Sequence, residues 1–152
     1  MDKKQTPNSL IHNVNPQELQ HLITVSTGFI DVYVISCHNK ADMIIPQNIV
    51  LSAFDSPTNL PTVEWHDLHL PVYKVNTPDK MLGVALIIEG EDISQRFALM
   101  CNSMPDTKRL RISEIIDEEI ENADPTIFQY VRTENRRFQI PNLDYIQKKI
   151  SS

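Results

Sequence analysis

Glycine is scarce in this chain, with 3 residues among 152. A loop that cradles phosphate needs closely spaced glycines, because its backbone must approach the ligand without side-chain clashes. Neither a GxGxxG pattern nor a Walker motif is present. The sequence therefore argues against the nucleotide-binding classes that depend on such loops.

Cysteine is rare, and basic residues are outnumbered by acidic ones. Cys37 and Cys101 are far apart, have no CxxC spacing and lie in apolar runs, so we expect two reduced core thiols that are inert as nucleophiles. The formal net charge of −6 disfavours nonspecific attraction to nucleic acid, and we expect no nucleic-acid partner. A basic cluster at 108–111 alternates with Leu110, which indicates the solvated face of a strand.

Long apolar runs are missing as well. No run is long enough to cross a bilayer, and the polar start of the chain has no apolar core of the kind that a secretory signal needs. We therefore expect a cytoplasmic protein without membrane insertion. The length of 152 residues, with 41% hydrophobic residues, suits one globular domain with a substantial core. Protein partners are the leading expectation, with no cofactor and no small-molecule substrate.

The chain is organised around residues 63–75, which include the only tryptophan. The alternation of apolar residues changes phase at His66-Asp67, which predicts two strands joined by a tight turn. Pro71 cannot donate to a ladder, so we expect an edge or bulged position and a peripheral returning strand. Trp65 beside a polar turn is predicted at a surface between halves or facing a partner, with an ordinary core position as the equal alternative.

Short runs of β-branched and aromatic residues recur along the chain and indicate a mainly β protein. Besides the hairpin, strands are predicted at 29–36, 43–46, 49–51, 82–88, 97–101, 110–112, 128–131 and 138–143, with a loop at 55–59. Helices are predicted at 113–121, with Ser113 as the cap, and at 144–150. Residues 1–28 are treated as a separate polar tail with a short helix that Asn15 caps.

Two four-residue segments echo each other. They are Leu68-His-Leu-Pro71 near mid-chain and Phe138-Gln-Ile-Pro141 near the end, each on the returning arm of a predicted hairpin. The echo favours two similar small β units over a single sandwich, although four residues alone are a weak signal.

A metal site is the chemistry that the hairpin could support. Glu64, His66 and His69 lie close in sequence and have the side chains of zinc ligands, with Asp67 as a further donor. This motivates an alternative function, a metal-dependent hydrolase built on the 64–69 hairpin. No HExxH pattern is present and the two histidines are assigned to different arms, so exposed polar residues are the favoured interpretation and no metal or catalytic residue is predicted.

The hairpin carries a resemblance. Residues 65–72, Trp-His-Asp-Leu-His-Leu-Pro-Val, resemble the Arg-Gly-x-x-x-Pro-Val hairpin of the CheW family of chemotaxis coupling proteins. The order of features extends the resemblance over 29–150: an opening strand, Ile45-Pro46 leading to Val50, and two hairpins with Pro71 and Pro141. The chain is most similar to the divergent ChpC coupling proteins of type IV pilus chemosensory systems.

The resemblance implies both a fold and a function. The fold would be a CheW-like domain at 29–150 made of two intertwined, SH3-like, five-stranded barrels, with short helices at both ends of the chain. The function would be that of a non-enzymatic scaffold in bacterial chemotaxis and twitching motility. Such a protein joins a methyl-accepting chemoreceptor to a histidine kinase through the regulatory domain of the kinase.

The resemblance also implies a protein-binding surface. Its residues in this chain are Val50, Ser52, Trp65, His66, Asp67 and Leu68. Ser52 stands where the family commonly has an acid, while His66 and Asp67 stand where it has Arg and Gly. Removing both members of a charge pair can be nearly neutral for stability. We therefore expect the fold to persist and partner recognition to differ.

Overall fold

The computed structural model describes residues 28–151, so the predicted N-terminal helix and nearly all of the tail lie outside the described residues. The described chain forms eleven strands and one helix. They are β1 (Phe29–Ile35), β2 (Met43–Pro46), β3 (Val50–Pro57), β4 (Thr62–Trp65), β5 (Leu68–Lys74), β6 (Leu82–Ile88), β7 (Phe97–Cys101), β8 (Asp106–Arg111), β9 (Ile116–Glu118), β10 (Ile127–Thr133), β11 (Arg136–Pro141) and α1 (Leu143–Ser151).

The strands form two sheets with a common plan. The first sheet has the order β8-β1-β2-β11-β10-β9, and the second has the order β3-β6-β7-β5-β4. Each sheet contains an antiparallel pair, β1 with β2 or β6 with β7. The second strand of each pair, β2 or β7, lies parallel to the returning arm of a hairpin, β11 or β5. The chain leaves the first sheet after β2, builds the second and returns to complete the first. The two halves are therefore intertwined.

Contacts between distant strands show that both sheets curl. In the first sheet, Lys108 on the edge strand β8 reaches Glu134 in the β10–β11 turn, with 2.8 Å between Nζ and Oε1. In the second, Phe54 of β3 and Trp65 of β4 pack against one shared cluster although they lie on opposite edge strands. The expected mainly β class with two SH3-like halves is confirmed.

The helix predicted at 113–121 is wrong. Residues 112–114 form one 3-10 turn, and the strand β9 follows and pairs with β10. Glu118 of β9 accepts hydrogen bonds from Arg132 of β10 and Arg137 of β11, each at 2.6 Å. This acid therefore links β9 to the neighbouring hairpin. Tertiary pairing has overridden a local helix signal, and β9 gives the first sheet six strands where five were expected.

The loop predicted at 55–59 is also wrong at its start. The strand β3 continues to Pro57 and pairs with β6 as far as Pro57↔Leu82. Turn-prone residues here remain extended because β6 offers a partner strand along the whole segment. The strand predicted at 110–112 begins four residues earlier, as β8, and Ile112 belongs to the 3-10 turn that follows it. The remaining predicted strands are confirmed with changes of boundary, and α1 confirms the C-terminal helix.

The returning strand of the central hairpin is not peripheral, contrary to expectation. The strand β5 lies between β4 and β7. Its residues up to Pro71 pair with β4, and its residues from Val72 onward pair with β7. Pro71 stands where the strand changes partner, so its missing N–H costs little in an internal strand.

The strand β6 shows why a central strand reads as apolar on both parities. Leu86 and Ile88 face a core that lies between the halves and includes Ile146 of α1. Ala85 and Ile87 face a separate core inside the second half. Because both faces are covered, the uninterrupted apolar run is required by burial, as the sequence predicted.

The four-residue echo corresponds to a repeated hairpin. His66 and Asp67 have φ of 51° and 65°, while Glu134 and Asn135 have φ of 53° and 63°. Two successive left-handed residues form a turn whose twist matches that of the flanking strands. The two prolines lie at different distances from their turns. The hairpin structure is therefore repeated, whereas the four-residue motif does not occupy equivalent positions in the two hairpins.

Candidate functional site

The turn of the central hairpin forms without glycine. Both of its residues, His66 and Asp67, have left-handed backbone angles, and both side chains are exposed. Histidine and aspartate populate this region more readily than most residues with a side chain. The turn that the resemblance assigns to Gly is therefore preserved with Asp67 in its place.

Trp65 combines the two positions that the sequence left open. Its half-buried side chain packs against the core of the second half, next to Leu68. The ring stacks on His66, with centroids 4.0 Å apart and an interplanar angle of 29°. Part of the indole remains accessible, so one side chain contributes to the core and to the surface at once.

Arg96 completes an aromatic and cationic cluster that the sequence analysis missed. Its Cζ lies 5.5 Å from the Trp65 ring centroid, and its Nε donates to Oε1 of Glu89 at 2.7 Å. The hydrogen bond from Arg96 lowers the pKa of the Glu89 carboxyl. Glu89 and Arg96 lie on either side of the β6–β7 turn. Their separation in the sequence gives no sign of the contact, which forms because the turn brings them together. We name Trp65, His66, Glu89 and Arg96 the Trp65 cluster.

The β6–β7 turn has a structure that holds this ion pair in place. Asp92 caps a 3-10 turn by accepting from the Ser94 N–H at 2.8 Å, while the Gln95 side chain accepts from the Asp92 N–H at 3.3 Å. A Cβ on Gly90 would lie 2.6 Å from that of Gln95, so the turn needs glycine for close approach. The Glu89 N–H also donates to the Ile49 carbonyl at 2.9 Å.

Val50 and Ser52 lie on opposite faces of β3 although they are two residues apart. A bulge between them changes the register, so that Val50 pairs with Ile88 and Ser52 pairs with Ile87. Val50 consequently packs on the core between the halves, while Ser52 shares the face of the second-half core. Regular alternation would have placed both side chains on one face.

The six predicted binding residues therefore share one end of the second sheet but not one face. Ile49 and Glu89 are linked at that end, and Arg96 extends from the same turn to Trp65. Among residues 28–151, no hydrogen bond, ion pair or ring contact joins Ser52 to His66. The β6–β7 turn at the same end carries an acid and a base that do pair, Glu89 and Arg96.

The histidines and acid of the hairpin do not converge. Glu64 and His69 are cross-strand neighbours with exposed side chains, whereas His66 turns onto the Trp65 ring. Within the described part of the chain, no three His, Cys, Asp or Glu side chains are placed to hold a metal ion.

The two thiols and the basic cluster take the places that the sequence predicted. Cys37 and Cys101 are free and buried, and burial raises the pKa of each thiol to about 12. On β8, Arg109 is exposed and donates to Asp31 at 2.9 Å, as on a solvated strand face. No helix within 28–151 is long and apolar enough to span a membrane.

The two curled sheets share a common strand order, and the chain completes the second sheet before it returns to the first. This defines a duplicated, mainly β architecture. The chain matches no protein-family model and no curated protein. Among solved structures it is similar to that of the scaffolding protein TtCheW from Thermoanaerobacter tengcongensis, with a TM-score of 0.53 and 12% identity. The similarity covers 76% of this chain and 89% of the other. The fold is thus the one that the hairpin resemblance implied.

Proposed function

We propose that this protein is a non-enzymatic adaptor of chemotaxis signalling. It couples a methyl-accepting chemoreceptor to a histidine kinase by binding the regulatory domain of the kinase. The observation that carries the proposal is the two-half CheW-like architecture, because the structurally similar protein is described as a scaffold. The adaptor unit corresponds to residues 29–150.

The finer assignment follows the resemblance of the hairpin. We propose a ChpC-type adaptor that works in the cytoplasm, in a type IV pilus pathway for twitching motility. It requires no cofactor, and the formal net charge of −6 supports protein partners over nucleic acid. The hydrolase alternative is not proposed, because no observation on the hairpin favours it.

The proposed partner surface is the end of the second half around the Trp65 cluster. Aromatic residues and arginine are enriched where proteins bind each other, because they combine apolar area with polar contacts. Trp65 and Arg96 offer this combination, and Leu68 lies next to Trp65 on the same core. The six residues assigned by the resemblance remain part of the proposal, with Val50 acting from the face toward the junction between the halves.

The test is a calorimetric titration of the full chain with the regulatory domain of the histidine kinase encoded beside it. The variants are Ser52→Glu, His66→Arg and the double change, which restore the charges common in the family. His38→Arg is the matched control, because His38 is an exposed histidine in a turn of the first half. All variants should unfold at nearly the wild-type denaturant concentration, since both sites are partly or fully exposed.

We expect wild type to bind, and His66→Arg and the double variant to change the affinity by about two- to fivefold, the usual range for an exposed charge. His38→Arg should leave affinity unchanged. Absence of binding by wild type would contradict the coupling function itself. Intact binding with no response to any of the three variants would contradict only the placement of the surface.

A further inference from the structure

A groove of about 490 Å³ lies between the β6–β7 turn and the helix α1. Its floor is apolar and is formed by Ile49, Phe97 and Leu143. All three belong to, or pack against, the core between the halves, and Phe97 is fully buried. The groove is therefore an opening onto the core that holds the two halves together.

The rim of the groove is acidic. Glu89, Glu91 and Asp144 line it, whereas none of the lining residues in the described part of the chain is Lys, Arg or His. Glu89 is occupied by Arg96, and Asp144 has a neighbouring cation, Lys148, at 3.1 Å on an exposed helix surface. Glu91 is exposed and has no hydrogen bond or ion pair within residues 28–151.

The walls of the groove are preformed. Gly90 lies against Gln95, and the capping interactions of Asp92 and Gln95 fix the turn that carries Glu91. On the opposite wall, α1 is anchored by its buried residue Ile146. A partner that enters the groove therefore does not first have to order its walls, which lowers the entropic cost of binding.

We propose that this groove binds a partner segment in which one large apolar side chain stands next to a lysine or arginine. The apolar side chain sits on the partly exposed Ile49 and Leu143, above the buried Phe97, where it removes apolar surface from water. The basic side chain reaches Glu91, the rim acid that has no cation partner among residues 28–151. This binding site goes beyond the proposed coupling function and does not depend on it.

The test uses the full chain, labelled with nitrogen-15, and four-residue peptides blocked at both ends. The probe is acetyl-Ala-Leu-Arg-Ala-amide, and the comparison peptides replace its arginine by glutamate or its leucine by alanine. Nuclear magnetic resonance detects such weak binding and maps it onto the chain. We expect saturable shifts of the Gln95, Leu143 and Gln147 amides with the probe, and much smaller shifts with either comparison peptide.

Two variants with the same chemical change separate the rim from general charge. Glu91→Gln should weaken probe binding by about two- to fivefold, the range for an exposed ion pair. Glu119→Gln removes an equally exposed acid outside the groove and should leave binding unchanged. The proposal is overturned if the probe produces no saturable shifts, if its largest shifts are those of Trp65 and His66, if the glutamate peptide binds equally well, or if Glu91→Gln has no effect.

Discussion

The two halves of the molecule follow the same strand order but complete their edges differently. In the first half, β9 covers the outer side of β10, and the Lys108–Glu134 ion pair joins the edge strand to the hairpin turn. In the second half, β4 has no strand on its outer side among the described residues, and the equivalent turn contributes a stack on Trp65. The outer strand of the hairpin is thus covered in the first half and uncovered in the second. We call the first half the sealed half and the second half the open half.

This difference leaves β4 as an uncovered edge strand among the described residues. An uncovered edge strand can pair with another chain, and proteins commonly limit this with charge. Glu64 places an exposed charge on β4, and the partly buried Trp65 lies at the hairpin tip, where it stacks on His66. The charge of Glu64 therefore limits pairing of β4 with a strand of another chain.

The sharpest test of the comparison is a cavity in the sealed half. Phe138 is completely buried in the first-half core. Phe138→Ala should lower the free energy of unfolding by about 3–5 kcal/mol, because a large aromatic leaves a cavity that the sheet cannot fill. Urea denaturation measures the change. A loss below about 1 kcal/mol would show that the first-half core is not tightly packed.

A smaller loss is expected from the open half. Trp65→Ala should reduce the free energy of unfolding by roughly half as much, about 2 kcal/mol, because the indole is only partly buried. It should abolish detectable binding to the kinase regulatory domain in calorimetry. A loss as large as that of Phe138→Ala, with binding retained, would make Trp65 an ordinary core residue.

Acid should loosen the sealed half at one identifiable contact. The hydrogen bond from Lys40, followed by that from Thr126, lowers the pKa of Asp124 to about 2. A carboxyl with a lowered pKa contributes stability that is complete above its unfolded pKa of about 3.9 and is lost as the pH falls through its folded pKa. The contribution should be at most about 1 kcal/mol, because this partly exposed ion pair is screened by solvent.

The measurement for Asp124 is the free energy of unfolding between about pH 5 and pH 2, because this range includes both the unfolded and the folded pKa. Asp124→Asn should be less stable than wild type at pH 5, and the gap should shrink toward pH 2. Asp144→Asn is the control, because its carboxyl belongs to an exposed pair on α1. A constant gap across the pH range would mean that the Asp124 charge is not the source of the stability.

The smallest expected effect concerns the ion pair that closes the first half. A double-mutant cycle of Lys108→Gln and Glu134→Gln should give a coupling energy of about 0.2–1 kcal/mol, as for other partly exposed pairs. Salt should reduce it. A coupling energy of zero would show that this ion pair does not help to keep the first half closed.

Much of the fold could be predicted because its signals are local. The turn at His66-Asp67 follows from a change of phase in alternation, and β6 follows from an apolar run on both parities. The helix predicted at 113–121 was wrong because isoleucines at helical spacing also suit a strand. The segment forms a strand because β10 is available as its pairing partner. The prediction that Pro71 lies on a peripheral strand was wrong because β5 pairs with β4 up to Pro71 and with β7 from Val72 onward.

The sequence by itself determined the β class, the hairpins and the buried thiols, and it carries the resemblance from which the binding surface is proposed. These depend on alternation, turn chemistry and apolar runs, which are properties of neighbouring residues. Only the tertiary structure decided that Val50 and Ser52 face opposite ways, because a bulge shifts the register. It also decided that Glu89 and Arg96 meet beside Trp65, because turn closure and sheet curl bring together residues whose spacing in the chain carries no signal.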